Sequence, residues 1–118
     1  MKILFLGDVM GRAGRRAITE NLSRLRAEWK LDFVVVNGEN ATSGAGLSGA
    51  HAKTLLDAGA DCLTLGDHAF DQKDMLQFIE HEPRVIRPLN FSKSAPGKGA
   101  RLFTAQNGKK VLVTQALG

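Results

Sequence analysis

Three short apolar runs, each closed by a glycine and an acid, constrain this chain more than any other feature. Ile3 to Leu6 leads into Gly7-Asp8, Phe33 to Val36 into Gly38-Glu39-Asn40, and Cys62 to Leu65 into Gly66-Asp67-His68. Apolar runs of this length, separated by helical patterns, read as buried parallel strands. The three acids then emerge at one edge, the carboxyl ends of the strands, where open α/β sheets collect ligands. Three carboxylates gathered there repel one another unless positive charge lies between them. A pair of divalent metal ions is the expectation.

The intervening segments carry helical periodicity. Ile18, Leu22, Leu25 and Trp29 step by four, three and four, which is one face of an α-helix. Ser48 is placed to cap a second helix running to about Ala58, with Gly59 as its stop. Asp71 reads as the N-cap of a third helix carrying Met75, Leu76, Phe78 and Ile79, which Pro83 ends; Val85-Ile86 is a short fourth strand. Asn107-Gly108, between Arg101–Gln106 and Lys109–Thr114, predicts a hairpin closed by a two-residue turn. The order is therefore α/β, βαβαβαβ plus a C-terminal β-hairpin. No closing helix comes after the hairpin, which reads as a truncated domain.

With 118 residues the chain holds one domain and a modest core. Its 16 Lys and Arg against 12 Asp and Glu give a net charge of +4, with the cations scattered. No aromatic-studded basic stripe occurs, which disfavours a dedicated nucleic-acid module. The single cysteine, Cys62, lies in an apolar strand pattern and forms no internal disulfide. The N-terminal apolar run is too short for a signal peptide and is interrupted by an acid. No run reaches the length of a membrane span. The expected location is the cytoplasm, without a membrane partner.

The residue types around the acids suggest phosphoryl chemistry. Two oxygen-ligated metals polarise a phosphoryl group, generate a nucleophile near neutral pH and stabilise the leaving oxygen. Such ligation suits Mn, Mg or Fe better than a soft metal. Glu39 belongs to the strand expected between the other two, where one carboxylate can bridge both metals. His68 could protonate a leaving alkoxide or hydrogen-bond the phosphoryl oxygens. Asn40 could hydrogen-bond the substrate, and Arg12 with the amides near Gly11 could hold a phosphate as a helix N-terminus does. His51 reads as a surface residue, and His81 as a cation favoured near a helix C-terminus. Gly7, Gly11 and Gly14 miss the spacing of a dinucleotide fingerprint.

The same segments carry a family resemblance. Ile3-Leu4-Phe5-Leu6-Gly7-Asp8-Val9-Met10-Gly11, Val36-Asn37-Gly38-Glu39-Asn40-Ala41 and Gly66-Asp67-His68-Ala69-Phe70-Asp71 resemble segments of YmdB-like proteins in the calcineurin-like metallophosphoesterase superfamily. Arg87-Pro88-Leu89-Asn90-Phe91 and Pro96-Gly97-Lys98-Gly99 are similar to family segments as well. The resemblance implies an α/β/β/α metallophosphoesterase sandwich, of which residues 1–118 form the N-terminal half of a single domain. It also implies a dinuclear metal site and hydrolysis of phosphodiesters, with 2′,3′-cyclic nucleotides as substrate class. By position, Asp8 would bind one metal, Glu39 would bridge both and Asp67 would bind the second. His68 would match the catalytic histidine, and Asn40 would neighbour the site.

Two departures stand out. The third family motif normally reads Gly-Asn-His, whereas this chain carries Asp67, which adds a negative charge. Family members are also longer, and their second half supplies histidine ligands that His51, His68 and His81 do not replace. A second reading is therefore a nucleotide- or RNA-binding regulator that keeps the crevice without hydrolysis, or an inactive fragment. A response-regulator-like domain with acids around one Mg ion is a third, which the C-terminal hairpin disfavours. RNA ends as ligands and a homo-oligomer both stay open.

Overall fold

The computed structural model describes residues 1–118. In chain order the elements are β1 (Ile3–Leu6), α1 (Gly11–Trp29), β2 (Phe33–Asn37), α2 (Gly49–Asp57), β3 (Cys62–Thr64), α3 (Met75–His81), β4 (Val85–Ile86), β5 (Ala100–Thr104) and β6 (Lys110–Thr114). The first four strands form one parallel sheet in the order β1-β2-β3-β4. A strictly sequential order joined by right-handed crossovers places every connecting helix on the same face. The core divides accordingly.

On the helical face, Val34, Val36 and Leu63 pack with Ile18 and Leu22 of α1, Leu55 of α2 and Met75 and Ile79 of α3. On the opposite face, Phe33, Val35, Cys62 and Ile86 meet Phe103 and Ala105, with Val111 and Val113 alongside. Phe33 and Phe103 make an edge-to-face pair with centroids 5.3 Å apart. Strand β2 is thus apolar on both faces because helices cover one and the antiparallel β5-β6 hairpin the other. Of the four layers of an α/β/β/α sandwich, this chain supplies helices, sheet and hairpin. The narrow hairpin leaves Ile3 and Phe5 of β1 exposed, and its own outer side chains Leu102 and Leu112 are exposed as well.

Three sequence expectations need correction. Trp29 is half exposed, because α1 ends there and Leu31 fills the buried position instead. The hairpin is closed by three residues: Ala105 and Lys109 still share a backbone hydrogen bond, and the loop is Gln106-Asn107-Gly108. Only Gly108 has positive φ, at +85°, whereas a two-residue type I′ turn would need it at Asn107 too. Asp71 does not cap α3. That helix begins later, after Asp74, and Asp71 is engaged elsewhere. Ser48 does cap α2, accepting a hydrogen bond from the His51 amide at 3.2 Å.

The segment after β4 is shaped from inside by Arg87, which is 6% exposed. Its guanidinium donates to the carbonyls of Pro88 at 2.9 Å and Pro96 at 3.3 Å, and its amide to the Lys98 carbonyl at 2.9 Å. A buried guanidinium is tolerated because carbonyl oxygens replace its water.

Candidate functional site

Parallel strands release their C-terminal loops at one edge, and here three such loops are stitched together by their backbones. The Val9 amide donates to the Asn37 carbonyl at 3.2 Å, the Gly11 amide to the Asn40 carbonyl at 3.0 Å, and the Gly38 amide to the Thr64 carbonyl at 2.9 Å. These bonds bring Asp8, Glu39-Asn40 and Asp67-His68 to the carboxyl ends of β1, β2 and β3. Asp8 adopts a left-handed backbone, φ +47°, an uncommon conformation that aspartate tolerates better than most residues.

Two subclusters result. In the first, the Asn40 side-chain amide donates to Asp8 Oδ1 at 2.9 Å. In the second, Glu39 lies against Gly66, so closely that a β-carbon on Gly66 would overlap its carboxylate. Asn37 donates to Glu39 Oε1 at 3.4 Å. Burial first, and then the Asp67 carboxyl, push Glu39 above the usual carboxylate range; the Asn37 amide and the His68 backbone N–H oppose that rise. His68 Nε2 stands 3.8 Å from Asp67 Oδ1. On its other side, His68 Nδ1 is 2.7 Å from Asp71 Oδ2. That hydrogen bond is the main reason its imidazole holds a proton more tightly than usual, with the charge of Asp67 adding to it.

The sequence-predicted residues therefore separate. Glu39, Asp67 and His68 come together, and Asp8 joins through Asn40, the covalent neighbour of Glu39. No three His, Cys, Asp or Glu side chains converge tightly enough to hold a metal ion by themselves. Arg12 is exposed on the first turn of α1 and makes no hydrogen bond or ion pair. Arg15, one turn on, is the arginine that touches the site loops, donating to the Ala41 carbonyl at 2.5 Å.

His51 is half-buried rather than on the surface, with Nδ1 2.7 Å from Thr42 Oγ1. It fastens the loop that leads on from Glu39. Sequence reasoning takes Asp71 for a helix cap and so misses it. The signal for its real partner is the three-residue spacing from His68 inside a turn, which the backbone closes through Asp71 N–H to His68 C=O at 3.2 Å.

The donor chemistry fits hard divalent cations: Asp8, Glu39, Asp67 and the Asn40 amide oxygen all offer oxygen ligands.

Comparison with known proteins gives concordant results. The profile of the YmdB-like protein family matches residues 4–118. A 2′,3′-cyclic-nucleotide 2′-phosphodiesterase of Bacillus subtilis is 41% identical over 118 residues, covering 100% of this chain and 44% of its own length. A hypothetical protein from Thermus thermophilus superposes with a TM-score of 0.91 at 38% identity, covering 100% of this chain and 45% of that one. A novel phosphatase from Mycoplasma pneumoniae superposes with a TM-score of 0.88 at 38% identity, with 43% of its chain covered. The chain thus spans less than half the length of these relatives.

Proposed function

The chain belongs to the YmdB-like protein family, and from that premise we propose that residues 1–118 form the N-terminal half of a metallophosphoesterase domain that hydrolyses 2′,3′-cyclic nucleotides. The observation that carries this reading is the meeting of Glu39, Asp67 and His68 at one sheet edge, with Asp8 tied in by Asn40. The name of the Bacillus subtilis relative supports the substrate class.

Asp8, Glu39 and Asp67 would hold two divalent metal ions, Mn, Mg or Fe, which supply a Lewis acid for the phosphoryl oxygens and make water a competent nucleophile. The remaining steps belong to this chain's own groups. Asn40 orients Asp8 through its 2.9 Å hydrogen bond. His68 presents Nε2 to the crevice while Nδ1 is held by Asp71; in the protonated ring, the Nε2 proton is the one available to the departing ribose oxygen. Arg12, exposed beside the start of α1, draws the anionic phosphodiester toward the site by charge.

A second reading is a nucleotide- or RNA-binding module that does not hydrolyse, because His51, His68 and His81 do not replace the histidine ligands that the second half of the family supplies. Mn titration by calorimetry and hydrolysis of 2′,3′-cyclic AMP with Mn present, both on a protein that includes the second half of the domain, separate the two. The enzyme reading expects Mn binding that Glu39→Ala abolishes, together with turnover. Nucleotide binding without turnover would replace it with the second reading.

A further inference from the structure

We infer that the loop after β4 carries a track for single-stranded RNA, so that the substrate of the site is an RNA 3′ end closed as a 2′,3′-cyclic phosphate. The inference rests on the phosphodiesterase reading and lengthens its substrate. Two hollows, of about 420 Å³ and 550 Å³, share Lys93 and Lys98 in their walls, and Arg101 joins them in the first. All three residues are exposed, and none forms an ion pair. Glu80 is the one carboxylate lining the first hollow, and the second has none. Glu82, the next acid along the chain, is already held by Arg84 at 2.9 and 2.8 Å. Cations gathered without acids to answer them suit a ligand that bears several phosphates.

In the sequence these cations are scattered, and the buried Arg87 is what gathers them. Its guanidinium reaches the carbonyls of Pro96 at 3.3 Å, Gly97 at 3.4 Å and Ala95 at 3.5 Å, so the loop winds around it. The loop is also pressed onto α3: a β-carbon on Gly97, where φ is +77°, would lie 2.6 Å from Ile79 Cδ1. A β-carbon on Gly99 would overlap the backbone of Leu89. The lysines thus stand on a fixed base, and a ligand need not order the loop to meet them. This loop leaves β4 at the carboxyl end of the parallel sheet, the edge that carries Asp8, Glu39 and Asp67. Phe91 ties it to the site, its ring centroid 6.2 Å from that of Phe70, two residues beyond His68. Phe91 and the 56% exposed Leu89 line the second hollow beside the lysines.

An aromatic and apolar step followed by cations is the pattern of sequence-tolerant single-strand binding, in which bases lie on the rings and the backbone follows the charge. With the cyclic phosphate at the carboxylates, the preceding base lies on Phe91 and Leu89. The earlier phosphodiesters then pass Lys98, Lys93 and Arg101. The exposed apolar residues Ile3 and Phe5 belong to β1, at the opposite edge of the sheet from β4, so covering them leaves the track open. The reaction itself is unchanged: water adds to phosphorus and one ribose oxygen–phosphorus bond opens. The strand is left with a phosphomonoester beside a ribose hydroxyl, which takes the proton.

The test uses a protein that includes the second half of the domain. Binding of a short labelled RNA ending in a 2′,3′-cyclic phosphate is followed by fluorescence anisotropy, without added metal, across a salt series. Neutralising three phosphates should make log affinity fall against log salt with a slope of about −2. Lys93→Ala, Lys98→Ala and Arg101→Ala should each flatten that slope by about 0.7. Phe91→Leu should weaken binding about fivefold or more and leave the slope as it is. With Mn present, the variant carrying all three alanines should show KM for this RNA raised on the order of tenfold, with kcat unchanged. Its constants for 2′,3′-cyclic AMP should equal those of the unmodified protein. Unchanged RNA affinity and slope in that variant, with circular dichroism showing the fold intact, would overturn the inference. Binding to phosphatidylglycerol vesicles that the alanines weaken, with no RNA bound, would overturn it as well. Absence of turnover of both substrates counts against the proposed function, while the anisotropy series still decides the track.

Discussion

The carboxylate of Glu39 occupies the space over Gly66 where any other residue would place its β-carbon. One glycine on the loop after β3 thereby admits an acid from the loop after β2, and the crevice depends on that intrusion. Val9–Asn37 and Gly38–Thr64 backbone hydrogen bonds keep the loops too close for either to move aside.

Gly66→Ala should therefore displace Glu39. The expected cost is about 1–3 kcal/mol of stability, the usual range for forcing extra atoms into a packed site. Mn affinity should fall with it. Thermal unfolding and calorimetric Mn titration measure the two effects, and an alanine variant with unchanged Mn affinity would show that Glu39 is no ligand.

Asp67→Asn removes one charge while keeping an oxygen donor of the same shape. A bound metal should survive the change, with lower affinity because one compensating negative charge is lost. Metal per chain by elemental analysis reads this directly. Complete loss of metal on so isosteric a substitution would remove Asp67 from the ligand set.

His51 offers a pH test away from the carboxylates. Burial, and then the charge of Arg15, hold its imidazole below the ordinary 6.5, with Asp74 opposing them. The unfolded chain then binds the proton more readily than the folded one, so stability falls as pH drops through 6.5 and levels off below the depressed folded value. His51→Gln, which cannot titrate, should flatten that dependence. Urea unfolding on either side of the histidine range measures it, and identical slopes in both proteins would rule His51 out as the source.

Cys62 is fully buried against the hairpin, and burial first, then the charge of Asp61, pushes its thiol up to about 12. The folded chain should resist alkylation at neutral pH, with on the order of a thousandfold less thiolate than an ordinary cysteine. Reaction should appear with unfolding. Mass spectrometry after brief iodoacetamide treatment, with and without urea, checks this; prompt labelling of the folded chain would mean that the hairpin does not cover Cys62.

The strand runs, the Ser48 cap, the stop at Gly59 and the fourth strand were legible because each is a local preference of adjacent residues. So was the delivery of Asp8, Glu39 and Asp67 to one edge, since parallel strands send their ends the same way. Asp71 was misread for a physical reason: an aspartate four residues before an apolar helical stripe has the same sequence signature whether it caps the helix or bonds a nearby histidine. Trp29 and the closing turn at Gly108 failed likewise, one decided by where a helix stops, the other by the φ that Asn107 adopts.

By itself the sequence determined the alternation of strand and helix, the single-edge placement of three acids and the family. These arise from periodicity and from residue types next to one another in the chain. Only the tertiary structure decided that Glu39 sits over Gly66, that Asn40 reaches Asp8, and that Asp71 holds His68 while Arg12 stands apart. Those are matters of ångströms between loops from different strands. Packing of β2 between helices and hairpin fixes them, and no stretch of adjacent residues encodes them.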